Sequence, residues 1–182
     1  MPVIPVISEL PARRDLLASA SCVILQGITL VDLPRLVDAF GKPPLEDVLL
    51  LVHIDLIAGL ENNEVALDYL AQLPRIQGVV TIHHHLIAPA KRLGFLSVLR
   101  VFLSDSRALE RGLKIIAKWR PDVVDILPHA AAIMVAEDFK SCRIPCIAGG
   151  LCRREEEVRG VLASGCRAVT STRPGLWQLN CS

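Results

Sequence analysis

Along almost its whole length the chain alternates between short apolar runs and stretches with the periodicity of an amphipathic helix. Seven runs recur at fairly even spacing: SCVILQG, DVLLLVHIDL, QGVVTIH, LSVLRVFL, DVVDILP, IPCIAGG and CRAVTST. Each has the length of one strand, and most are near-continuous Val, Ile and Leu rather than a strict apolar–polar alternation, the pattern of strands covered on both faces. Between them, Leu33, Leu36, Val37 and Phe40 fall at i, i+3, i+4, i+7, as do Ala66, Tyr69, Leu70 and Leu73. Leu109, Leu113 and Ile116 mark the face of a longer helix over residues 106–119. Gly41, Gly94 and Gly165 each follow a helical pattern and are placed to take the left-handed conformation that ends a helix.

Strand followed by helix, repeated, implies a parallel sheet with right-handed crossovers. An open doubly wound sheet and a barrel both satisfy that order. No GxGxxG follows the first run, and no central pair of strands is sharply hydrophobic, so the barrel is favoured. The expectation is an α/β fold in one domain over residues 1–182: a parallel β/α barrel of the TIM-barrel type, incomplete, with seven strands. The core must be aliphatic, because 52% of residues are hydrophobic and only 4% aromatic.

Charge and cysteine usage narrow the function classes. A net charge of +1 gives no global field toward nucleic acid or membrane, so any RNA contact must come from a local patch. No run approaches the roughly 18 apolar residues of a membrane span. The segment MPVIPVISELPARRD has two prolines in its apolar part and no basic start, so it is not read as a signal peptide. The six cysteines, at 22, 142, 146, 152, 166 and 181, form no CxxC pair and suit buried thiols in a reducing cytoplasm.

In β/α barrels ligands sit where strands end and loops begin. The two last runs end in IAGG and VTST, and these carry the strongest signal. Gly149 and Gly150 let backbone approach an anion, and Thr170, Ser171 and Thr172 offer hydroxyls beside it, the makings of a phosphate cradle. A second group lies within the strands. His53 and Asp55 are two residues apart, Arg100 is mid-run in SVLRVFL, and Asp125 is mid-run in VVDILP. Charges in apolar strands need partners, so Asp55, Arg100 and Asp125 are expected to point inward and pair near the barrel mouth. That group is either a purely structural ion-pair network or one that also binds ligand hydroxyls. An isomerase or lyase acting on a small phosphorylated substrate is the enzymatic alternative, with His53 and Asp55 as acid and base. Lys91, Lys114, Lys118 and Lys140 all lie off the strands, which disfavours Schiff-base chemistry.

HIDLIAGL at 53–60, RVFLSDSRALE at 100–110, DILP at 125–128, IAGGL at 147–151 and the terminal AVTSTRPGLW stand in an order that resembles the glycerol uptake operon antiterminator family. The resemblance covers nearly the whole chain. It implies a β/α barrel acting as a cytoplasmic transcription regulator, not an enzyme. Such a regulator binds glycerol 3-phosphate and the leader mRNA of a glycerol-utilisation operon and prevents termination. Carried onto this chain, it makes His53, Asp55, Gly149, Gly150, Ser171 and Thr172 the ligand-facing positions and Arg100 and Asp125 their interior support.

The run His83–His84–His85 follows the third strand. Consecutive residues of a strand point to opposite sides, and no third ligand stands nearby in sequence, so a metal site is disfavoured. Thr81, His83 and His84 are read instead as a polar rim of the ligand pocket, and Lys91 and Arg92, just beyond, as candidates for RNA contact. No catalytic residue, cofactor or metal is assigned, no membrane partner is expected, and self-association into a homo-oligomer is left open.

Overall fold

The computed structural model describes residues 2–181. Eight parallel strands close into a barrel: β1 (Val3–Ile7), β2 (Cys22–Leu25), β4 (Leu49–His53), β6 (Ile76–Thr81), β7 (Leu96–Phe102), β8 (Val123–Leu127), β9 (Cys146–Gly149) and β10 (Val169–Ser171). They lie side by side in chain order, and β10 returns to pair with β1. Two short strands, β3 (Ile28–Thr29) and β5 (Ile57–Ala58), pair separately above the mouth of β2 and β4.

The barrel has one strand more than the seven apolar runs, and it is closed. The extra strand is VIPVI at the N-terminus. Its prolines disguise it, because proline removes a ladder donor and is usually confined to sheet edges. Here Val3 directs its N–H and C=O away from β10, to the Asn180 carboxamide at 3.0 and 2.8 Å. Pro5, two residues on, has the same orientation, so the N–H it lacks is not drawn on by β10.

Strand alternation divides the apolar side chains into two cores. Val6, Ile24, Leu51, Val80, Val98, Ile147 and Ala168 point inward and fill the barrel. The alternate residues, among them Val23, Leu50, Val52, Val79, Leu99, Val124 and Val169, pack against the surrounding helices. Those helices are α1 (Asp15–Ala18), α2 (Leu33–Ala39), α3 (Glu64–Ala71), α4 (Ile87–Arg92), α5 (Ser106–Trp119), α6 (His129–Met134), α7 (Ala136–Lys140), α8 (Glu155–Ala163) and α9 (Pro174–Trp177). The helix read over 106–119 has those bounds in the structure, with Asp105 capping it by accepting from Ala108 N at 2.8 Å. Gly94 and Gly165 take positive φ (84° and 102°), as read from sequence. Gly41 is not among the positive-φ glycines, and α2 instead ends in right-handed turns through Phe40. No helix among the described residues is long and apolar enough to cross a membrane.

Candidate ligand-binding site

The site begins with two charges the strands bring together. Arg100 on β7 and Asp125 on β8 are register partners, and alternation turns both inward. Arg100 Nε donates to Asp125 Oδ2 at 2.9 Å, with both side chains buried. Burial pushes the Asp125 carboxyl above its ordinary pKa, against the pull of the Arg100 guanidinium. Its second oxygen, Oδ1, is buried without a partner among the described residues. The pair occupies only the Nε of Arg100. Its terminal nitrogens make no hydrogen bond among the described residues, and Arg100 lines a cavity of about 290 Å³ at the C-terminal mouth of the barrel.

The walls of this cavity come mainly from the loops after β9 and β10: Gly150, Arg153, Thr170, Ser171, Thr172 and Arg173, with Gln26 and Val6 opposite. Gly150, at φ +72°, takes a conformation that favours glycine, and its carbonyl is held by the His129 ring at 2.9 Å. Gly149 has a different task. A Cβ there would stand 1.8 Å from Thr170 Oγ1 and 2.9 Å from the Thr170 carbonyl. It permits β9 and β10 to lie close and does not line the cavity. Ser171 Oγ accepts from Arg173 N at 3.1 Å, and the Ser171 carbonyl accepts from Trp177 Nε1 at 2.8 Å.

Arg153 and Arg173 are cavity residues that sequence reasoning passed over. Three glutamates follow Arg153–Arg154 directly in the chain, yet none pairs with the Arg153 side chain. Instead Glu157 accepts from the backbone N–H groups of Arg153 and Arg154 and from the Arg154 side chain, while Glu155 pairs with Arg159. Those backbone bonds hold Glu157 well down, at a pKa of about 2. The Arg153 guanidinium is left without an ion-pair partner among the described residues, and so is that of Arg173. The signal available in sequence was a cation placed directly after each glycine- or hydroxyl-rich strand end. The same capping means the first free amides before α8 are spent on Glu157, so charge at this mouth comes from guanidinium groups.

His53, Asp55 and Thr81 form a neighbouring cluster rather than the cavity lining. The strand ends at His53, and Asp55 lies in the short 3-10 turn Ile54–Leu56. Asp55 does not join Arg100 and Asp125, as had been expected; it accepts from Thr81 Oγ1 at 2.6 Å and Ile82 N at 2.7 Å. The turn re-aims its carboxylate across to β6. His53 Nδ1 stays 3.7 Å from Asp55 Oδ2 and has no hydrogen-bond partner among the described residues. Burial, then the nearby Arg100 charge, lowers the His53 pKa to about 4, with Asp55 pulling the other way. At neutral pH His53 is therefore uncharged.

The rim expected of Thr81, His83 and His84 also turns away from the cavity. His83 Nε2 meets Asn62 Nδ2 at 3.2 Å, and His84 stacks on Trp119 with ring centroids 5.2 Å apart. The chain turns into a 3-10 segment, His84–Leu86, directly after β6, which carries these rings outward. Among the described residues, no group of three or more His, Cys, Asp or Glu is arranged to hold a metal ion. Lys91 and Arg92 are ion-paired, to Asp122 at 3.0 Å and Glu64 at 3.0 Å, so neither is a free cation.

A model of the family described as glycerol-3-phosphate responsive antiterminator matches residues 3–177. The crystal structure of the glycerol uptake operon antiterminator regulatory protein from Listeria monocytogenes is similar to this chain with a TM-score of 0.88 and 29% identity, covering 98% of this chain and 95% of that one. A glycerol uptake operon antiterminator-related protein from Thermotoga maritima gives a TM-score of 0.86 and 27% identity over 97% of this chain and 98% of its own. The Escherichia coli protein YgcP, which is uncharacterised, is 30% identical over 128 residues, 70% of this chain and 67% of its own length. Motifs, closed barrel and matched span agree: the chain belongs to the glycerol-3-phosphate responsive antiterminator family.

Proposed function

We propose that this protein is a cytoplasmic transcription antiterminator that responds to glycerol 3-phosphate bound in the mouth cavity and acts on the leader mRNA of a glycerol-utilisation operon. One observation carries the ligand reading: a buried arginine holds its acid through Nε alone and presents unspent donors to a cavity flanked by two unpaired guanidinium groups. Arginine's planar fork matches phosphate oxygens, and charge-assisted bonds of this kind are the strong ones. Thr170, Ser171 and Thr172 line the same cavity and supply hydroxyls for the remaining oxygens. Regulation rather than catalysis is supported by membership of the antiterminator family.

Calorimetry with glycerol 3-phosphate, glycerol and inorganic phosphate tests this. Glycerol 3-phosphate is expected to bind best, and Arg153→Gln and Arg173→Gln are each expected to weaken it about tenfold or more, the loss of one charge-assisted contact. No binding by the wild-type protein at millimolar glycerol 3-phosphate would overturn the reading. Equal binding of all three ligands would overturn the choice of ligand.

A further inference from the structure

The histidine run, the longest helix and a stripe of four unpaired cations meet on one outer face of the barrel. On α5, Arg107, Arg111, Lys114 and Lys118 are spaced i, i+4, i+7, i+11, which places all four within about 60° of arc on one helix face. All four are exposed, and none forms an ion pair among the described residues. Glu110, the only carboxylate of the helix, forms no ion pair with any of them among the described residues. The opposite face carries Leu109, Leu113 and Ile116 into the core. Lys91 and Arg92 next door are, by contrast, neutralised by Asp122 and Glu64.

At its C-terminal end the stripe meets a row of rings. Lys118 Nζ lies 5.2 Å from the Trp119 ring centroid. Trp119, half-buried, stacks on His84, whose ring centroid lies 6.3 Å from that of the exposed His85, edge-on. His84 Nδ1 is buried with no partner among the described residues. Cations in a line followed by planar rings suit a single-stranded nucleic acid: phosphates meet the stripe, and a base stacks at the ring end. An acidic protein would use the cations but offers no planar base alongside a regular row of charges.

We propose that the outer face formed by α5 and the His84–His85–Trp119 rings is the RNA-binding surface of this protein. This rests on the antiterminator reading and gives its RNA partner a place, distinct from the ligand cavity. β7 connects the two: Arg100 lies on this strand five residues before Asp105, the cap of α5.

The test is fluorescence anisotropy with a short, unstructured, labelled RNA of mixed sequence across a salt series, with and without millimolar glycerol 3-phosphate. Four phosphate contacts on a single strand give a log–log salt slope near −3, and Arg111→Gln with Lys114→Gln is expected to reduce it by about 1.4. Lys91→Gln with Arg92→Gln makes the same charge change on paired cations and is expected to leave the slope as it is. Trp119→Ala is expected to weaken binding at least about fivefold with the slope unchanged. His85→Ala, at an exposed position, checks the ring contribution if Trp119→Ala does not fold. Equal losses from the two double variants would overturn the surface, with the antiterminator reading intact. Displacement of RNA by poly-glutamate as readily as by unlabelled RNA would overturn it in favour of an acidic protein partner. An absence of RNA binding by the wild-type protein, with and without ligand, would overturn both. Calorimetry with glycerol 3-phosphate on the stripe variant is expected to match wild type, which separates this face from the cavity.

Discussion

His53 shows how one side chain reports on the interior of the barrel. It is a strand residue turned inward beside Arg100, and burial together with that positive charge makes protonation unfavourable. Folded, it takes up a proton near pH 4; unfolded, near 6.5. Between those values the unfolded chain binds the extra proton, so acid favours unfolding. The stability this neutral histidine allows is complete above pH 6.5 and falls progressively toward pH 4, by about 3 kcal/mol over the whole interval. Urea unfolding at a series of pH values, for wild type and for His53→Gln, isolates the effect, because the carboxylates titrate in both. The wild-type curve is expected to fall more steeply below pH 6.5. Parallel curves would mean that His53 is protonated as easily in the fold as out of it. The inward charges Arg100 and Asp125 were legible in sequence because a strand otherwise made of Val, Leu and Ile gives a charge no other partner. Asp55 was misplaced for a local reason: the chain leaves the strand at His53 and curls, so period-two counting no longer applied.

At the scale of elements, apolar continuity identified seven strands, because a parallel strand sheathed on both sides needs no polar face. Roles at the strand ends were less legible, since a pair of glycines reads the same whether it admits a ligand or a neighbouring strand. Gly149 and Gly150 do one each. At Gly149 a methyl group would enter the Thr170 hydroxyl and press on its carbonyl at 2.9 Å, a backbone atom held in the β9–β10 ladder. Gly149→Ala is expected to cost about 3 kcal/mol, the upper range for overpacking. Gly150→Ala meets the Leu127 side chain at 3.3 and 3.4 Å and Pro128 Cα at 3.6 Å, and its cost of about 1 kcal/mol comes mainly from the positive φ. Thermal unfolding of the two variants is expected to rank Gly149→Ala well below Gly150→Ala, whereas glycerol 3-phosphate affinity is expected to suffer at Gly150. The reverse order of stabilities would show that the two strands can part without loss. Thr170→Ala combined with Gly149→Ala removes the nearer clash and leaves the carbonyl contact, so it is expected to restore stability only in part.

For the whole molecule the decisive event is closure. A seven-strand reading leaves two open edges, with unpaired donors and acceptors along β2 and β10; the eighth strand covers both. β1 does so unevenly, pairing with β10 at Val3, Ile4 and Pro5 but with β2 only at Val6 and Ile7. Lower on β1, the side toward β2 has no strand beside it, and a side chain from the far end of the chain takes the place of one. Asn180 Oδ1 accepts from Val3 N–H at 3.0 Å, and its Nδ2 donates to the Val3 carbonyl at 2.8 Å, so one carboxamide satisfies both groups as a neighbouring strand would. A contact spanning 177 positions in the sequence leaves no periodic trace, which is why neither the strand nor its clasp could be read in advance. Removing the carboxamide strands two buried backbone groups, each of which costs about 1–3 kcal/mol when unsatisfied. Asn180→Ala is therefore expected to destabilise the fold by about 3 kcal/mol, and Asn180→Gln, with the same group on a longer stem, to recover part of it. Asn180→Asp distinguishes loss of a bond from loss of packing: the carboxylate still accepts from Val3 N–H but faces the Val3 carbonyl with a second acceptor, so it is expected to be no better than alanine at neutral pH. Amide exchange at Val3 reads the clasp directly, with protection expected to drop in Asn180→Ala and Asn180→Asp together. An Asn180→Ala protein with wild-type stability and a still-protected Val3 amide would show that β1 closes the barrel on its own.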